Sequence, residues 1–459
     1  MENSSLLEAN LGEAPSVHEQ TSGGTRHGPA LLEVLRGRNF RLLWIGEAIS
    51  LLGDQFHLIV LPWLVLQLTG NGLAMGTVLA TAGIPRALFM LVGGALTDRF
   101  SPRGLMLGSN LLRLGLVALL AALVFMGHIN LGMLYLFALT FGLVDAFFYP
   151  AQSSIVPQLV EEEHLQAANS LTQGTAQLSL FAGPVLAGVM ITLLDGGAPI
   201  AGEAVPGLWG IAFAFAFDAF TFLVSALTLW RIRIDRPEAQ VGKADGAGGV
   251  LASIREGLDY VWSNAGLRTL FLVVAAINLL VNGPFAVGIP VLADSRFVGG
   301  AAAFGIIMSA YGGGSLFGII LAGALPPPPL RYMATVLLAI TSTLGVGVAV
   351  LGFVASTPAA ALDALLMGAV NGYVFILFIT WLQRRTPQKM LGRMMSLLMF
   401  AAIGLNPVSM ALSGALVELN VVALFVGAGT LMAVITLLSA FHPNVRALGV
   451  EAEVKLASA

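Results

Sequence analysis

Long apolar runs separated by short polar breaks follow one another from about residue 41 to residue 441. A helix needs about 20 apolar residues to cross the hydrocarbon core of a bilayer. By that measure the chain holds twelve candidate spans, near 41–68, 73–97, 104–127, 130–150, 167–194, 208–231, 266–293, 301–325, 331–354, 357–382, 392–418 and 420–441. Lipid offers backbone N–H and C=O groups no partner, so each span is expected to satisfy its own hydrogen bonds as a helix. The polar breaks mark a tail at 1–35, six spans within 36–231, a central loop at 232–265, six spans within 266–441 and a tail at 442–459. The prediction is an all-α membrane protein of twelve transmembrane helices in two groups of six.

Composition agrees: 57% of the 459 residues are hydrophobic and 10% charged, against roughly 25% charged in a soluble domain. The absence of cysteine excludes disulfides, thiolate metal sites and a cysteine nucleophile. The opening MENSSLLEANLGEAPS has no basic region before an apolar core, so it reads as a polar tail rather than a signal peptide. Basic residues cluster in alternate breaks: Arg36, Arg38 and Arg41 before the first span, Arg99 and Arg103 after the second, Arg231, Arg233, Arg236, Lys243 and Arg255 around the central loop, and Arg384, Arg385 and Lys389 after the tenth. Of the opposite breaks, Arg296 is the exception. The positive-inside rule then puts both termini and the central loop in the cytosol and the chain in the inner membrane.

The halves repeat. Gly76, Gly83 and Gly94-Ala95-Leu96 in the second span recur 229 residues later as Gly305, Gly312 and Gly323-Ala324-Leu325. Asp54 and Pro62 match Asn282 and Pro290, 228 residues on, and Ser170-Leu171 and Gly188 match Ser396-Leu397 and Gly414, 226 on. Three helix pairs at nearly one offset point to duplication.

Ionisable residues inside the spans come next, since each costs about 2.5–3.5 kcal/mol at mid-bilayer on insertion scales. They are Glu47, Asp54, Arg86, Arg113, Asp145 and Asp218. Four acids face two bases, so one-to-one pairing is impossible. An acid without a partner in a low dielectric favours its protonated form, which is what a proton-coupled carrier needs. Asp54, Glu47 and Asp218 are the candidate proton sites, with a protonated acid hydrogen-bonded to a neighbouring helix as the alternative for Asp218. Glu47 and Asp54, seven residues apart, share a helix face, and Arg86 lies at a similar depth, where a fixed Asp54–Arg86 ion pair is the structural alternative. Arg113 and Asp145 are candidate partners, with Glu47 as a rival for Arg113. His57 reads first as a hydrogen-bonded core histidine, with a proton relay as the alternative.

Several classes of function are excluded by absence. There is no Gly-x-x-x-x-Gly-Lys-Ser/Thr loop for direct use of ATP, no His-Glu-x-x-His zinc site and no Gly-x-Ser-x-Gly elbow. No metal, no cofactor and no enzymatic activity are expected. Basic residues hug the membrane face rather than forming a nucleic-acid patch.

From about Asn39 to Phe441 the chain resembles the major facilitator superfamily. The loop after the second span, Gly94-Ala-Leu-Thr-Asp98-Arg99-Phe-Ser-Pro-Arg103, is similar to that family's gating loop, with Ser101 where a glycine is usual. The equivalent loop Leu325-Pro-Pro-Pro-Pro-Leu-Arg331 lacks the acid. The resemblance implies that Asp98 latches the halves on the cytosolic side by meeting a helix N-terminus, where an anion is favoured. Gly183-Pro184 and Gly188 resemble the Gly-Pro motif of the superfamily's exporters. Phe148-Tyr149-Pro150-Ala151-Gln152, Leu165-Gln166-Ala167-Ala168-Asn169-Ser170, Asn39-Phe40-Arg41-Leu42-Leu43-Trp44 and Gly53-Asp54 resemble the branch of enterobactin exporters and macrolide efflux proteins. The family's architecture is two parallel six-helix repeats with a site between them, its cavity lined by spans one, four, seven and ten. That implies Asn278, Asn282, Asn371 and Tyr373 as lining residues of the second half. The function implied is proton-coupled export of amphipathic small molecules by a monomer in the lipid bilayer. An importer or lipid-moving carrier of the same fold, or a sensor without flux, are the alternatives.

Overall fold

The computed structural model describes residues 30–97, 101–195, 208–233, 259, 261–329, 331–386, 394, 398, 401, 404–443 and 445. Among them every regular element is helical. The first half contains α1 (Ala30–Arg36), α2 (Arg38–Thr69), α3 (Gly72–Thr97), α4 (Pro102–Phe125), α5 (Leu131–Leu159), α6 (Leu165–Asp195) and α7 (Trp209–Arg231). The second contains α8 (Ala265–Gly283), α9 (Ile289–Arg296), α10 (Ala301–Ala324), α11 (Met333–Leu351), α12 (Thr357–Arg385), α13 (Asn406–Leu419) and α14 (Val421–Phe441). A turn of wider helix, Pro284–Gly288, joins α8 to α9.

Eleven of these helical segments are long and apolar enough to cross a membrane. The predicted span 392–418 is helical at Asn406–Leu419, and most of its first half lies outside the described residues. The ends follow local chemistry. Asn130, Asn264 and Asn420 cap α5, α8 and α14, accepting from the backbone N–H of Met133 at 3.0 Å, Leu267 at 3.0 Å and Val422 at 2.8 Å. Gly70, at φ 59°, ends α2 in the left-handed conformation. The fifth element runs past its predicted end at 150 to Leu159, through Pro150 and Pro157. Its extension buries Ile155 and Val156 against Phe40, Leu43 and Leu229, and this packing overrides the proline cue.

The wider turn in the seventh span follows from Pro284, which has no N–H to donate. Ser409 of α13 repairs the ladder: its Oγ accepts from Gly283 N–H at 2.7 Å and donates to the Leu279 carbonyl at 2.5 Å. Large apolar side chains such as Leu112, Leu136, Phe220, Ile320 and Leu438 face outward, as a lipid solvent requires.

The face where α2 begins and α14 ends is here the terminal face, and its opposite the distal face. Toward the distal face one continuous core joins the halves, with Trp63, Met75 and Ile191 packed together with Ala301, Phe304 and Val417. Toward the terminal face the buried residues among those described fall into two separate clusters. One holds Phe40, Met106 and Leu229 of the first half, the other Leu267, Leu337 and Trp381 of the second.

Candidate functional site

The intramembrane charges of the first half converge. Asp145 on α5 accepts from two guanidinium groups, Arg113 of α4 through one carboxylate oxygen and Arg86 of α3 through the other. Arg86 thus serves Asp145, and the alternative of an Asp54–Arg86 pair is not adopted. Helix azimuth decides this: α3 packs along α5 far more extensively than along α2. The Arg113 side chain is 1% exposed, and its guanidinium lies 4.1 Å from the Phe148 ring centre, with Phe222 and Phe141 at 5.5 and 5.7 Å. Such cation–π contact offsets part of the desolvation of a buried cation.

Glu47 is buried and accepts from Gln152 Nε2 of α5. Asp218 on α7 is fully buried, and neither of its carboxylate oxygens has a hydrogen-bond partner among the described residues. His57 is stacked on Phe141 with centres 4.3 Å apart and planes within 9°. Its Nδ1 sits 3.5 Å from Asp218 Oδ2 without forming a hydrogen bond, so the expected hydrogen-bonded core histidine is a stacked one. Asp54 is half-buried, and among the described residues no hydrogen bond or ion pair reaches it. The motif residues surround this network: Phe148 lies under Arg113, Gln152 holds Glu47, and Gly53 packs on Thr221 and Asp218. Asn39 and Trp44 tie α2 to its own half through Arg233 O at 2.6 Å and Thr175 Oγ1 at 2.9 Å.

Among the described residues the two most extensive interfaces between the halves are α3 against α13 and α6 against α10. Both depend on glycine. A side chain at Gly76 would strike Met410 O and the backbone of Gly414, and one at Gly305 would strike Pro184 O and the backbone of Gly188. These four residues are the ones the repeat matches. Gly183, beside Pro184, packs on Gln55 of α2, so the Gly-Pro motif lies where α6 meets both α2 and α10. Polar locks close the distal end. Gln67 Nε2 donates to Asp294 Oδ1 at 2.9 Å, Glu418 accepts from the N–H of Gly72 at the start of α3, and Thr192 Oγ1 accepts from Ala302 N–H at 3.1 Å at the start of α10. Sequence reasoning missed these lock residues, which look like ordinary helix ends. The signal was present, because Thr192 and Glu418 are separated by 226 residues, one of the repeat offsets.

Of the gating loop, Gly94 lies in α3, while Asp98 and Arg99 fall outside the described residues. Arg103 works inside its own half: Nε and a terminal nitrogen donate to the carbonyls of Leu229 and Trp230 at 2.8 and 2.7 Å, satisfying the end of α7. Asp363 on α12 is a further intramembrane acid that hydropathy reading passed over, being near a helix start, and its Oδ2 is buried without a hydrogen-bond partner among the described residues.

A cavity of about 330 Å³ opens within the second half, lined from α8, α10, α11 and α12 together with Leu398. Asn278, Asn282 and Asn371 line it, as does Tyr311 of α10. Tyr373 does not; it packs against the apolar cluster that holds Leu377 and Trp381. Tyr373 stands two residues along α12 from Asn371, beside the apolar cluster that also contributes Trp381 to the cavity wall. Asn282 Nδ2 donates to Asn278 Oδ1 at 3.2 Å and to Asn406 Oδ1 of α13 at 2.6 Å.

Comparison with known proteins converges on one family. The family model described as Major Facilitator Superfamily matches residues 43–406. The multidrug efflux pump Tap of Mycolicibacterium fortuitum is 27% identical over 437 residues, covering 92% of this chain and 98% of that protein. Macrolide efflux protein A of Streptococcus pyogenes is 22% identical, covering 62% of this chain and 66% of its own. Among solved structures, a bacterial homologue of the iron transporter ferroportin in an inward-facing state aligns with a TM-score of 0.63 at 16% identity, covering 88% of this chain and 99% of that one. At that identity the likeness concerns the fold.

Proposed function

The chain belongs to the major facilitator superfamily, and from that premise we propose that it is a proton-coupled exporter of amphipathic small molecules, working by alternating access. The reading takes twelve spans in two six-helix repeats, with both termini cytosolic. The glycine contacts support the repeat: Gly76 meets Gly414 at one interface and Gly305 meets Gly188 at the other, each pair the counterpart of the other. With the terminal face cytosolic, the distal locks close the outer side, and the divided core of the terminal face corresponds to an inward-open conformation. Export is supported by the relatives, which are a multidrug pump and a macrolide efflux protein.

The observation that carries proton coupling is the position of Asp54. Asp145 is committed to Arg86 and Arg113. Asp54 is half-buried and uncommitted, on the same helix as Glu47. A carboxyl group in that position takes a proton when the outer side opens and releases it when the inner side opens. Exchange follows if the protonated and the substrate-loaded chains favour opposite conformers, since a ligand shifts an equilibrium only by its differential affinity for the two states. Asp98, Arg99 and Arg103 belong in this reading to the inner gate.

The test is efflux of a dye and drug panel from pump-deficient cells carrying the chain or its Asp54→Asn form, with and without a proton gradient. The expected result is export that disappears on Asp54→Asn and on collapse of the gradient. Gradient-driven export that survives Asp54→Asn would reject Asp54 as the coupling site.

A further inference from the structure

The second half carries a cavity where the first carries its ion network. At the repeat spacing of 228 residues Asp54 corresponds to Asn282 and Arg113 to Thr341, and Asp145 falls within Asn371–Tyr373 at spacings of 226 to 228. In the first half Arg113 fills this place, pressed on Phe148 and paired with Asp145. In the second, Thr341 turns its hydroxyl back to Leu337 O at 2.7 Å, and among the described residues no carboxylate or cation lines the space. Neutral residues thus stand at the repeat positions of a guanidinium and its counter-ion, and the space beside Thr341 and Asn371 is open. Interiors are otherwise close-packed, and a void left empty forfeits the contacts of every atom around it.

The walls specify an occupant. Asn371, Phe375, Phe378 and Trp381 recur at intervals of three and four along α12 and form one stripe on the cavity. Leu270, Val274, Leu337 and Leu344 complete an apolar enclosure. Both donor bonds of the Asn282 amide are spent on Asn278 and Asn406, which leaves Asn282 Oδ1 to accept. Neither the Asn371 amide nor the Tyr311 hydroxyl has a hydrogen-bond partner among the described residues. A volume of about 330 Å³ is roughly twice the ~150 Å³ of an apolar cavity that holds benzene. A fixed charge would enter without a counter-ion and lose its hydration.

We propose that this cavity binds a neutral, flat apolar group about two rings in size that carries a hydrogen-bonding atom, and that this group is the apolar part of the exported amphipath. The second clause rests on the exporter reading; the first does not. Recognition is then divided between the halves: the first handles protons and charge, the second the apolar body.

6-Propionyl-2-dimethylaminonaphthalene is a suitable probe, being neutral, flat, built on two fused rings, equipped with one carbonyl acceptor, and excited by energy transfer from tryptophan such as Trp381 in the wall. It is titrated into the purified full chain in detergent. Saturable transfer is expected. Ala334→Phe, which fills the cavity from α11, should weaken it by about tenfold or more. Asn371→Leu, which breaks no hydrogen bond among the described residues, should weaken it by about fivefold, and it serves alone if Ala334→Phe does not fold. No saturable transfer, or saturable transfer indifferent to the substitutions, overturns the site. Saturable transfer in a chain that exports nothing keeps the site and removes the exporter reading. Binding lost in Ala334→Phe while export of ring-bearing compounds continues unchanged overturns the substrate assignment.

Discussion

Asp145 holds two guanidinium groups at once, and this sets it apart from the other intramembrane acids. Removing one partner of a buried ion pair costs about 3–5 kcal/mol, because the other charge is left uncompensated. Asp145→Asn strands Arg113 in a wholly buried position, whereas Arg86 is 32% exposed and partly screened. The expected outcome is a large fall in the thermal unfolding midpoint of the purified protein, dominated by Arg113. Asp54→Asn removes no partner and should change stability by less than about 0.5 kcal/mol. Equal destabilisation of the two variants would mean that Asp54 is held by the fold and is not the group that exchanges. Most of the ionisable intramembrane residues were plain from the sequence, with Asp363 the exception because it sits near a helix start. Of their pairings, Arg113 with Asp145 was a candidate from the sequence, while Arg86 with Asp145 was not, because it depends on the rotation of α3 and α5 about their axes, which twenty apolar residues in a row leave undefined.

At the scale of elements, the distal ends of α3 and α10 are each capped by a side chain from the opposite half, Glu418 and Thr192. Loss of a helix cap costs about 1 kcal/mol, which corresponds to about a fivefold change in the ratio of two conformers. Glu418→Ala should therefore shift the population toward an open distal face, and Glu418→Gln, which keeps a carbonyl acceptor, should shift it less. The chain has no cysteine, so spin labels placed at two introduced cysteines across the distal face report the distance by pulsed electron resonance. An unchanged distance distribution in Glu418→Ala would show that the cap does not hold the gate. Hydropathy alone located each of the eleven membrane-length helices to within a few residues, except at Leu159, where burial of Ile155 and Val156 carried α5 beyond its proline.

At the scale of the whole molecule, alternating access requires the distal face to open in every cycle. Gln67 and Asp294 meet there across the two halves at 2.9 Å. A chain with Gln67→Cys and Asp294→Cys, oxidised to a disulfide, is expected to lose export and to regain it on reduction. Export by the oxidised form would reject alternating access through this face. The sequence by itself determined the solvent of this protein, the limits of most of its eleven described membrane-length helices, and its resemblance to a transporter family. Those properties follow from local apolar length, charge placement and motifs, which need no knowledge of neighbours. The double pairing of Asp145, the packing of Tyr373 beside Trp381, the paired glycine contacts and the caps at Gly72 and Ala302 were decided by the tertiary structure. Each depends on which face of one helix meets which face of another. In an apolar solvent that choice is made by close packing and by the need of buried polar groups for partners, and hydropathy encodes neither.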